Sequence, residues 1–419
     1  MLDRVLATRS LLPEHDLAFL ADAPVIFHCH HFNLFLDQTI DDALGVEAGT
    51  ALRTKAARDA SFHLLSSLNR KLGLVTPAER LELAAALFAA MGHGRLEILT
   101  QATGGEARGT WLHYGFAWHE KYGQAVRRRF PADAMAAGFM AAATEVAYGL
   151  PRESMQCTEH ACIAMRAPRC EFTLKPGKAE VPEIDVGVAQ ARAVVRPSFT
   201  GLHEDKITAI AKGLRDFAGG VAGDERGLVQ AFGVFVTLHL STYYNRISYD
   251  AWNHVREKSP ASLPVIEALL RESGHVCVFN TFGGILLSPE WEGMVGKIQG
   301  DPVEIVSGCT AIGRALGFGH WTLAELKPGE RLVLRTPSTY ESSYWVTREG
   351  PSQQGMCFFV QGAALAFMQL AERVPWTQKP KLTQEFYVEL FRRGVPWSVK
   401  ETKCITKGDM ACEVVVQKT

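Results

Sequence analysis

The stretch ETKCITKGDMACEVVV, residues 401–416, places one glutamate and two cysteines at spacings of three and eight. An earlier stretch, EHACIAMRAPRCEFTL, residues 159–174, has the same three residue types at the same spacings. Two thiols on either side of a short loop can face one metal ion from the two arms of a turn. Because the triplet occurs twice, we interpret the chain as containing an internal repeat.

Two further landmarks recur in the same order. HFNLFLDQTIDDAL, residues 31–44, is similar to HLSTYYNRISYDAW, residues 239–252, and this alignment pairs the two leading histidines. GHGRLEIL, residues 92–99, is similar to GFGHWTLAEL, residues 317–326. The distance in residues between a landmark and its second occurrence grows along the chain. It is 208 for the first landmark, 225 for the second and 242 for the Glu/Cys triplet. Such growth indicates a duplicated unit whose second copy carries insertions.

The repeat predicts two homologous units, residues 1–178 and 190–419. The break between them is expected in the Pro/Gly-rich stretch KPGKAEVPEIDVGVAQ, residues 175–190. One insertion of the second copy is PWTQKPKLTQEFYVELFRR, residues 375–393. Fusion of two copies raises their effective concentration, so we expect the units to form an intramolecular pseudo-dimer.

Local patterns predict the same elements in both copies. In TPAERLELAAALFAAM, Thr76, Pro77 and Glu79 form the capping-box start of a helix. The alternating segments RLEILTQAT and RLVLRTPST predict strands, and a helix of small residues follows each of them. Each copy should end in a hairpin that carries its Glu/Cys triplet. The predicted class is α+β, with helices packed on a mostly antiparallel sheet.

Composition excludes several classes of protein. Lys and Arg total 44 against 45 for Asp and Glu, so the basic excess of a nucleic-acid binder is missing. No segment reaches the ~18 apolar residues of a membrane span, and no export signal is evident at the N-terminus. We therefore expect a cytoplasmic protein whose nine cysteines are metal ligands or thiols rather than disulfides.

The Glu/Cys triplets predict metal sites, because thiolates are soft donors for zinc and a carboxylate can complete the site. A fourth ligand must come from elsewhere, and Cys357 is the candidate in the second copy. In the first copy either Cys157 substitutes or the site is incomplete. Buried cysteines that serve only as small apolar residues are the alternative. The predicted metal ligands are Cys157, Glu159, Cys162, Cys170, Cys357, Glu401, Cys404 and Cys412.

A family resemblance rests on four motifs of the second copy. These are Gly317-x-Gly319, the Ser338-x-x-Glu341 segment before Trp345, Cys357 with Gly362 five residues later, and the triplet Glu401, Cys404 and Cys412. With them, residues 275–419 resemble the 4-vinyl reductase (V4R) domain, and residues 80–175 resemble it more faintly. The sensor domains of phenol- and xylene-responsive bacterial regulators belong to this family.

The resemblance implies an α/β fold related to that of small vesicle-tethering subunits. It also implies a structural zinc site at Cys357 and the second triplet, beside a buried pocket for an aromatic ligand. The chain departs from the complete regulators, since it lacks a GxxxxGK[ST] ATPase loop and an obvious helix-turn-helix.

The stretch FHCHHFNLF, residues 27–35, holds three histidines in four positions. In a strand His28 and His30 share a face, and in a helix His28 and His31 do, so either geometry supplies a pair. Three interpretations stay open: hydrogen-bonded core histidines, polar groups that orient an aromatic ligand, or, with Asp37, ligands of a catalytic metal.

The predicted pocket lies between this histidine segment, a strand with Trp345 and the small-residue helix. We assign it to the first copy, because only that copy has the HCHH run, and expect the second copy to be mainly structural. The predicted ligand-binding residues are His28, His30, His31, Phe35, His239, Tyr243 and Trp345.

Three hypotheses for function follow. The first is a sensor or carrier, without its own output domain, that binds a small hydrophobic or aromatic molecule and contains structural zinc. The second is a metal-dependent oxidoreductase that uses iron or another transition metal at the N-terminal histidines. The third is a scaffold that contacts a partner protein. Assembly into a homodimer is open under all three.

Overall fold

The structure, a computed structural model, describes residues 2–13, 15–178, 199–219, 223–392 and 396–419. We call residues 2–178 the first repeat and residues 199–419 the second repeat. Three antiparallel sheets and their surrounding helices make up the described chain, which confirms the mixed α+β class. The predicted break at residues 175–190 falls largely in residues 179–198, outside the described part, so the domain boundary stays a prediction.

The first repeat begins with short strands and long helices and ends in a sheet. Its α4 starts with the predicted capping box, in which Thr76 and Glu79 exchange hydrogen bonds between side chain and backbone. The elements are α1 (Leu2–Leu6), β1 (Arg9–Leu12), β2 (Leu17–Leu20), β3 (Ala23–Cys29), α2 (His30–Leu44), α3 (Val46–Leu72), α4 (Pro77–Ala90), β4 (Glu97–Gln101), β5 (Gly104–Gly109), α5 (His113–Tyr122), α6 (Ala134–Tyr148), β6 (Met155–Ala161), the 3-10 turn Ile163–Met165 and β7 (Cys170–Pro176).

The second repeat has the same succession with additional helices. Trp345, predicted on a strand, lies on helix α13, because Thr339 caps a helical turn there. The elements are α7 (Glu204–Gly219), β8 (Val229–Ala231), β9 (Val234–Leu240), α8 (Ser241–Lys258), the 3-10 turn Pro260–Ser262, α9 (Leu263–Cys277), the π-helical segment Val278–Phe282, α10 (Gly283–Leu287), α11 (Pro289–Met294), α12 (Pro302–Ala315), β10 (Thr322–Lys327), β11 (Arg331–Thr336), α13 (Tyr340–Arg348), α14 (Phe358–Arg373), the 3-10 turn Trp376–Gln378, α15 (Gln384–Arg392), β12 (Trp397–Lys403), the 3-10 turn Ile405–Lys407 and β13 (Cys412–Lys418).

One four-stranded sheet in each repeat follows the same plan. The strand orders are β4-β5-β7-β6 and β10-β11-β13-β12. Even the register shift recurs, between Glu159 and Ala161 in the first sheet and between Glu401 and Lys403 in the second. A β-bulge turns the strand locally, so in both repeats it redirects the chain just before the cysteine loop.

The small-residue helices α6 and α14 pack closely on α3 and α9. A Cβ atom added to Gly138 would lie 2.2 Å from the carbonyl oxygen of Thr54, and one added to Gly362 would lie 1.8 Å from that of Arg271. Glycine is therefore required at the fifth residue of each helix, where two backbones meet. Among the helices that the structure describes, none combines the length and the apolar character required to cross a bilayer.

The remaining five-stranded sheet joins the repeats, in the order β1-β2-β3-β9-β8. Strands β3 and β9 pair antiparallel, with Val25 opposite Leu240. Each of these strands also bonds to the Gly-x-Gly turn of the other repeat: the Leu238 N–H donates to the Met91 carbonyl, and the Phe27 N–H to the Leu316 carbonyl. The repeats therefore exchange their N-terminal strands.

These reciprocal bonds correct the alignment of the histidines. Phe27 and Leu238 are equivalent because they bond to equivalent turns, so His28, not His31, occupies the position of His239. Both residues precede the last residue of a strand, and a helix begins two residues later. The sequence comparison was wrong by three residues because it followed similar residue types in the helices, such as Asp42-Ala43 and Asp250-Ala251, which do not occupy equivalent positions.

Candidate metal sites and ligand cleft

The second repeat gathers three thiols at the end of its sheet. Cys404 ends the bulged arm of the hairpin, Cys412 begins β13, and Cys357 immediately precedes α14. The Sγ atom of Cys357 lies 3.8 Å from that of Cys404 and 3.6 Å from that of Cys412, and Cys404 and Cys412 are 3.7 Å apart. All three thiols are free and buried. Zn–S bonds of about 2.3 Å in a tetrahedral site separate the sulfur atoms by roughly 3.8 Å, so these distances fit zinc.

Glu401 supplies the fourth donor of this group. Its Oε2 accepts hydrogen bonds from the Cys357 N–H at 3.2 Å and from Gln361 Nε2 at 3.4 Å. Its Oε1 is buried and accepts no hydrogen bond within the described part of the chain. One donor atom from each of the four residues lies within 4.8 Å of the others. Burial raises the pKa of the Glu401 carboxyl well above its usual range, a cost that a bound cation would offset.

The first repeat gathers a related group with a different fourth member. Asp133, which immediately precedes α6, takes the position that Cys357 has before α14. It joins Glu159, Cys162 and Cys170, and the four donor atoms again lie within 4.8 Å of one another. Burial raises the pKa of the Asp133 carboxyl, although hydrogen bonds from Gly115, Cys170 and Cys162 act in the opposite direction. Burial also raises the pKa of Glu159 well above its usual range, and the charge of Asp133 raises it further.

Cys157, the predicted fourth ligand of this site, is not a member of the group. It lies on β6 opposite Leu174, two residues before Glu159, and a strand advances about 6.6 Å over two residues. The sequence signal that could have identified Asp133 is its place directly before the small-residue helix. Asp133 was not considered as a donor because the equivalent residue of the second copy is a cysteine.

The three N-terminal histidines point to three different places. His28 is fully buried and stacks on Phe32, with ring centroids 3.6 Å apart, while His30 Nδ1 accepts a hydrogen bond from the Phe235 N–H at 3.2 Å. His31 faces a cleft. Burial lowers the pKa of His30 to about 4 and that of His31 to about 2, so both imidazoles are neutral.

The structure does not bring these histidines together as a metal site. Asp37, considered as a carboxylate partner, pairs instead with Arg53, whose Nε lies 3.5 Å from Asp37 Oδ2. Within the described ranges, the two Cys/carboxylate groups are the only sets of His, Cys, Asp or Glu residues whose donor atoms converge. The geometry therefore gives no catalytic metal site at FHCHHFNLF.

His239 lies in a cluster that we call the polar core. Its other members are His93, His113, Tyr114 and Asn33. His239 Nε2 is 3.2 Å from the Tyr114 hydroxyl, its ring centroid is 4.7 Å from that of His93, and Asn33 Nδ2 is 2.9 Å from His113 Nε2. Tyr243, another predicted ligand residue, stacks on His239 and is buried there.

Sequence reasoning missed the polar core. The available signal was the middle residue of the Gly-x-Gly turn, which is His93 in the first repeat and Phe318 in the second. Burial lowers the pKa of His93 to about 3 and holds that of His113 and His239 well below the usual value. The cluster is therefore a set of neutral imidazoles, of which His113 is hydrogen-bonded to Asn33 and His239 to Tyr114.

A cleft of about 890 Å³ lies between the repeats. Its walls come from α2 and α5 with the loop after α5 in the first repeat, and from α9, α14 and α15 in the second. Two predicted ligand residues, His31 and Phe35, line it, whereas His28, His30, His239, Tyr243 and Trp345 do not. The pocket that we assigned to the first copy is thus a cleft shared by both repeats, and α15 of the predicted insertion forms one wall.

A hydrogen-bond network covers the second-repeat side of this cleft. His275 Nε2 is 2.5 Å from Gln369 Oε1, and its Nδ1 is 2.9 Å from the Tyr387 hydroxyl. The same hydroxyl donates to the Glu272 carboxylate. Because the amide oxygen only accepts, Nε2 carries the imidazole proton and Nδ1 is an acceptor. The single hydroxyl proton of Tyr387 then faces two acceptors, so this network lacks one donor among the residues that the structure describes.

Two equivalent tryptophans have different surroundings. Trp118 and Trp345 are the sixth residues of α5 and α13. Trp118 lines the cleft. Trp345 is buried and packs edge-on against Tyr249 and Trp252, with ring centroids 4.9 and 5.7 Å apart. Trp345 is therefore part of the hydrophobic core and not of the cleft.

The chain matches no protein-family model. It also matches no curated protein. Among solved structures, it is similar to the crystal structure of the phenol-responsive sensory domain of the transcription activator PoxR with phenol, at 19% sequence identity and a TM-score of 0.35. This match covers 42% of the present chain and 88% of the PoxR domain chain. Membership of the V4R family therefore stays a prediction.

Proposed function

We propose that the protein binds a small hydrophobic or aromatic molecule in the cleft between its repeats, as a sensor or a carrier. In this proposal the repeats are V4R-like units that form an intramolecular pseudo-dimer, and a structural zinc ion at Cys357, Glu401, Cys404 and Cys412 fixes the second repeat. The observation that carries it is the cleft itself, with aromatic walls and one incomplete hydrogen-bond network.

The walls of the cleft favour a ligand with a flat apolar body. Phe35 and Trp118 face it from the first repeat, and Phe391 and Val388 face it from α15. Sites for small molecules have volumes of roughly 300–1,000 Å³ and combine apolar walls with few polar groups. A cleft of about 890 Å³ therefore accommodates a molecule larger than a single benzene ring.

The polar side of the cleft defines the complementary group on the ligand. Glu272 and His275 Nδ1 compete for the one proton of Tyr387, so a hydroxyl or N–H group of the ligand would supply the missing donor. We accordingly propose an aromatic alcohol, phenol or amine rather than a hydrocarbon. His31, neutral on the opposite wall, can accept or donate a second hydrogen bond.

Calorimetric titration with substituted phenols, and with the methyl ethers of the same compounds, tests this proposal. We expect the phenols to bind more tightly than the ethers. Tyr387→Phe leaves both Glu272 and His275 Nδ1 without a donor, so it should strengthen phenol binding by about tenfold, the usual value of one hydrogen bond in a partly enclosed site. The ethers should bind wild type and variant alike.

Tyr148→Phe is the matched control, since the Tyr148 hydroxyl donates to the Thr100 carbonyl away from the cleft. It should leave binding unchanged. Equal affinity for phenols and ethers would contradict the proposed polar contact. If neither class of compound bound to the wild type or to Phe35→Ala, the result would contradict the proposed function.

A further inference from the structure

The two Cys/carboxylate groups differ at one position, the residue before the small-residue helix. That residue is Asp133 in the first repeat and Cys357 in the second. In both, its backbone N–H donates to the glutamate of the triplet: Asp133 to Glu159 Oε2 at 2.8 Å, and Cys357 to Glu401 Oε2 at 3.2 Å. The shared bond shows that the two groups have one plan, with a carboxylate in place of a thiol.

The first repeat is shaped around this carboxylate. A Cβ atom at Gly115 would lie 2.4 Å from Asp133 Oδ2 and 3.1 Å from Cys162 Sγ, so only glycine leaves room for both. The Gly115 N–H also donates to Asp133 Oδ1 at 3.0 Å. In the second repeat the third residue of the corresponding helix is Ser342, whose N–H donates to Thr339 instead. Gly115 and Asp133 therefore match each other, whereas in the second repeat Thr339 contacts both Ser342 and the Cys357 thiol.

The donor atoms of the group converge. Asp133 Oδ2 lies 3.5 Å from Cys162 Sγ and 3.3 Å from Cys170 Sγ, and the two sulfur atoms are 3.8 Å apart. Tetrahedral coordination with a metal–sulfur bond of about 2.3 Å and a metal–oxygen bond of about 2.1 Å gives oxygen–sulfur separations of roughly 3.6 Å. Glu159 Oε1, which is buried and accepts no hydrogen bond from any residue that the structure describes, completes the group.

From this geometry we propose that the first repeat binds a divalent transition-metal ion of its own through Asp133, Glu159, Cys162 and Cys170. Two carboxylate and two thiolate donors make it a harder and weaker site than the three-thiolate site of the second repeat. Its ion therefore exchanges first, and Fe²⁺ or Co²⁺ competes there with Zn²⁺ more effectively. This inference does not depend on the ligand cleft.

Release of zinc from the purified full-length chain tests the proposal. The chain is saturated with Zn²⁺, desalted and treated with excess chelator, while a chromogenic indicator follows the released zinc. We expect two phases of equal amplitude, the faster from the first repeat. Asp133→Cys should convert the fast phase into a slow one, and Asp133→Ala should remove it. Asp205→Asn, at an exposed carboxylate, is the control and should leave both phases unchanged.

Co²⁺ provides a second measurement that does not rely on rates. The sulfur-to-cobalt charge-transfer absorption of the loaded chain should increase in Asp133→Cys, because a third thiolate joins the first site. Gly115→Ala should lower the affinity of that site by about 10- to 100-fold, as loss of the group that orients a ligand does. One metal ion per wild-type chain, or a fast phase and a cobalt spectrum that Asp133→Ala leaves unchanged, would overturn the proposal.

Discussion

His28 and His239 occupy the same position in the two repeats, and their surroundings are opposite. His28 lies in an aromatic cage formed by Phe32, Phe318 and Phe359, with ring centroids 3.6 to 5.3 Å away. His239 lies in the polar core, beside Tyr114 and His93. Because the repeats exchange their N-terminal strands, each histidine contacts residues in the interior of the other repeat.

The contrast extends beyond these histidines. The second repeat has the aromatic cage, the three-thiolate group and a buried Trp345. The first repeat has the polar core, a group with one more carboxylate, and Trp118 in the cleft. A duplicated fold can thus concentrate stability in one copy, while the other accumulates buried polar groups that cost stability.

The largest expected effect concerns the two thiol groups. Cys404→Ala should lower the free energy of unfolding by about 5 kcal/mol or more, because a structural metal ion contributes its binding energy to the folded state. Cys162→Ala should lower the free energy of unfolding by clearly less, because we expect the first-repeat group to bind its metal ion more weakly. Chemical unfolding with zinc in excess measures both. Equal losses in the two variants would remove the distinction between the groups.

The two tryptophans sharpen the same comparison. Trp345→Ala should cost about 3–5 kcal/mol, the usual result of emptying a packed aromatic site. Trp118→Ala removes a half-buried cleft residue, so it should cost less than half of that and weaken phenol binding instead. Thermal unfolding and calorimetric titration of both variants separate the two effects. A Trp345→Ala variant with impaired binding and unchanged stability would contradict the assignment.

The smallest expected effect is the pH dependence caused by the polar core. Burial lowers the pKa of His93 to about 3, below that of an unfolded histidine at about 6.5. Between those values the unfolded chain binds a proton that the folded chain does not, so this residue destabilises the fold as the pH falls below about 6.5. The slope is about 1.4 kcal/mol per pH unit.

His93→Phe, which introduces the residue found at position 318, should flatten the pH dependence by this one proton. Unfolding free energies at pH 8 and pH 5 measure it. His254→Gln, at an exposed histidine, is the control, and its pH dependence should equal that of the wild type. Parallel curves for His93→Phe and the wild type would show that His93 does not take up a proton on unfolding.

Local features of this structure could be predicted from the sequence. The spacing of Cys404 and Cys412 places two thiols on the arms of one hairpin, and the Thr76 capping box starts a helix as expected. Such patterns depend on residues near each other in the chain, so they are visible in one sequence. The growing offset likewise indicated the repeat before any contact was known.

Features that depend on distant parts of the chain were not predictable in this way. Asp133 could not be recognised from the sequence as a member of the group with Cys162 and Cys170, because the start of α6 and the hairpin come together only in the folded chain. One wall of the cleft is α15 of the insertion, which packs on α9 through Tyr387 and His275, and these residues are far apart in the sequence. The polar core was hidden for the same reason, since His239 reaches His93 and Tyr114 across the exchanged strands.

The exchange of strands also determines when strand pairing can occur during synthesis. Strand β3 leaves the ribosome before its partner β9, which follows about two hundred residues later. At translation rates of about 5–20 residues per second, the open edge of β3 waits roughly 10 to 40 s for its partner. Throughout that interval an apolar strand edge is available to other nascent chains. The demand on chaperones should therefore peak before the second repeat is complete.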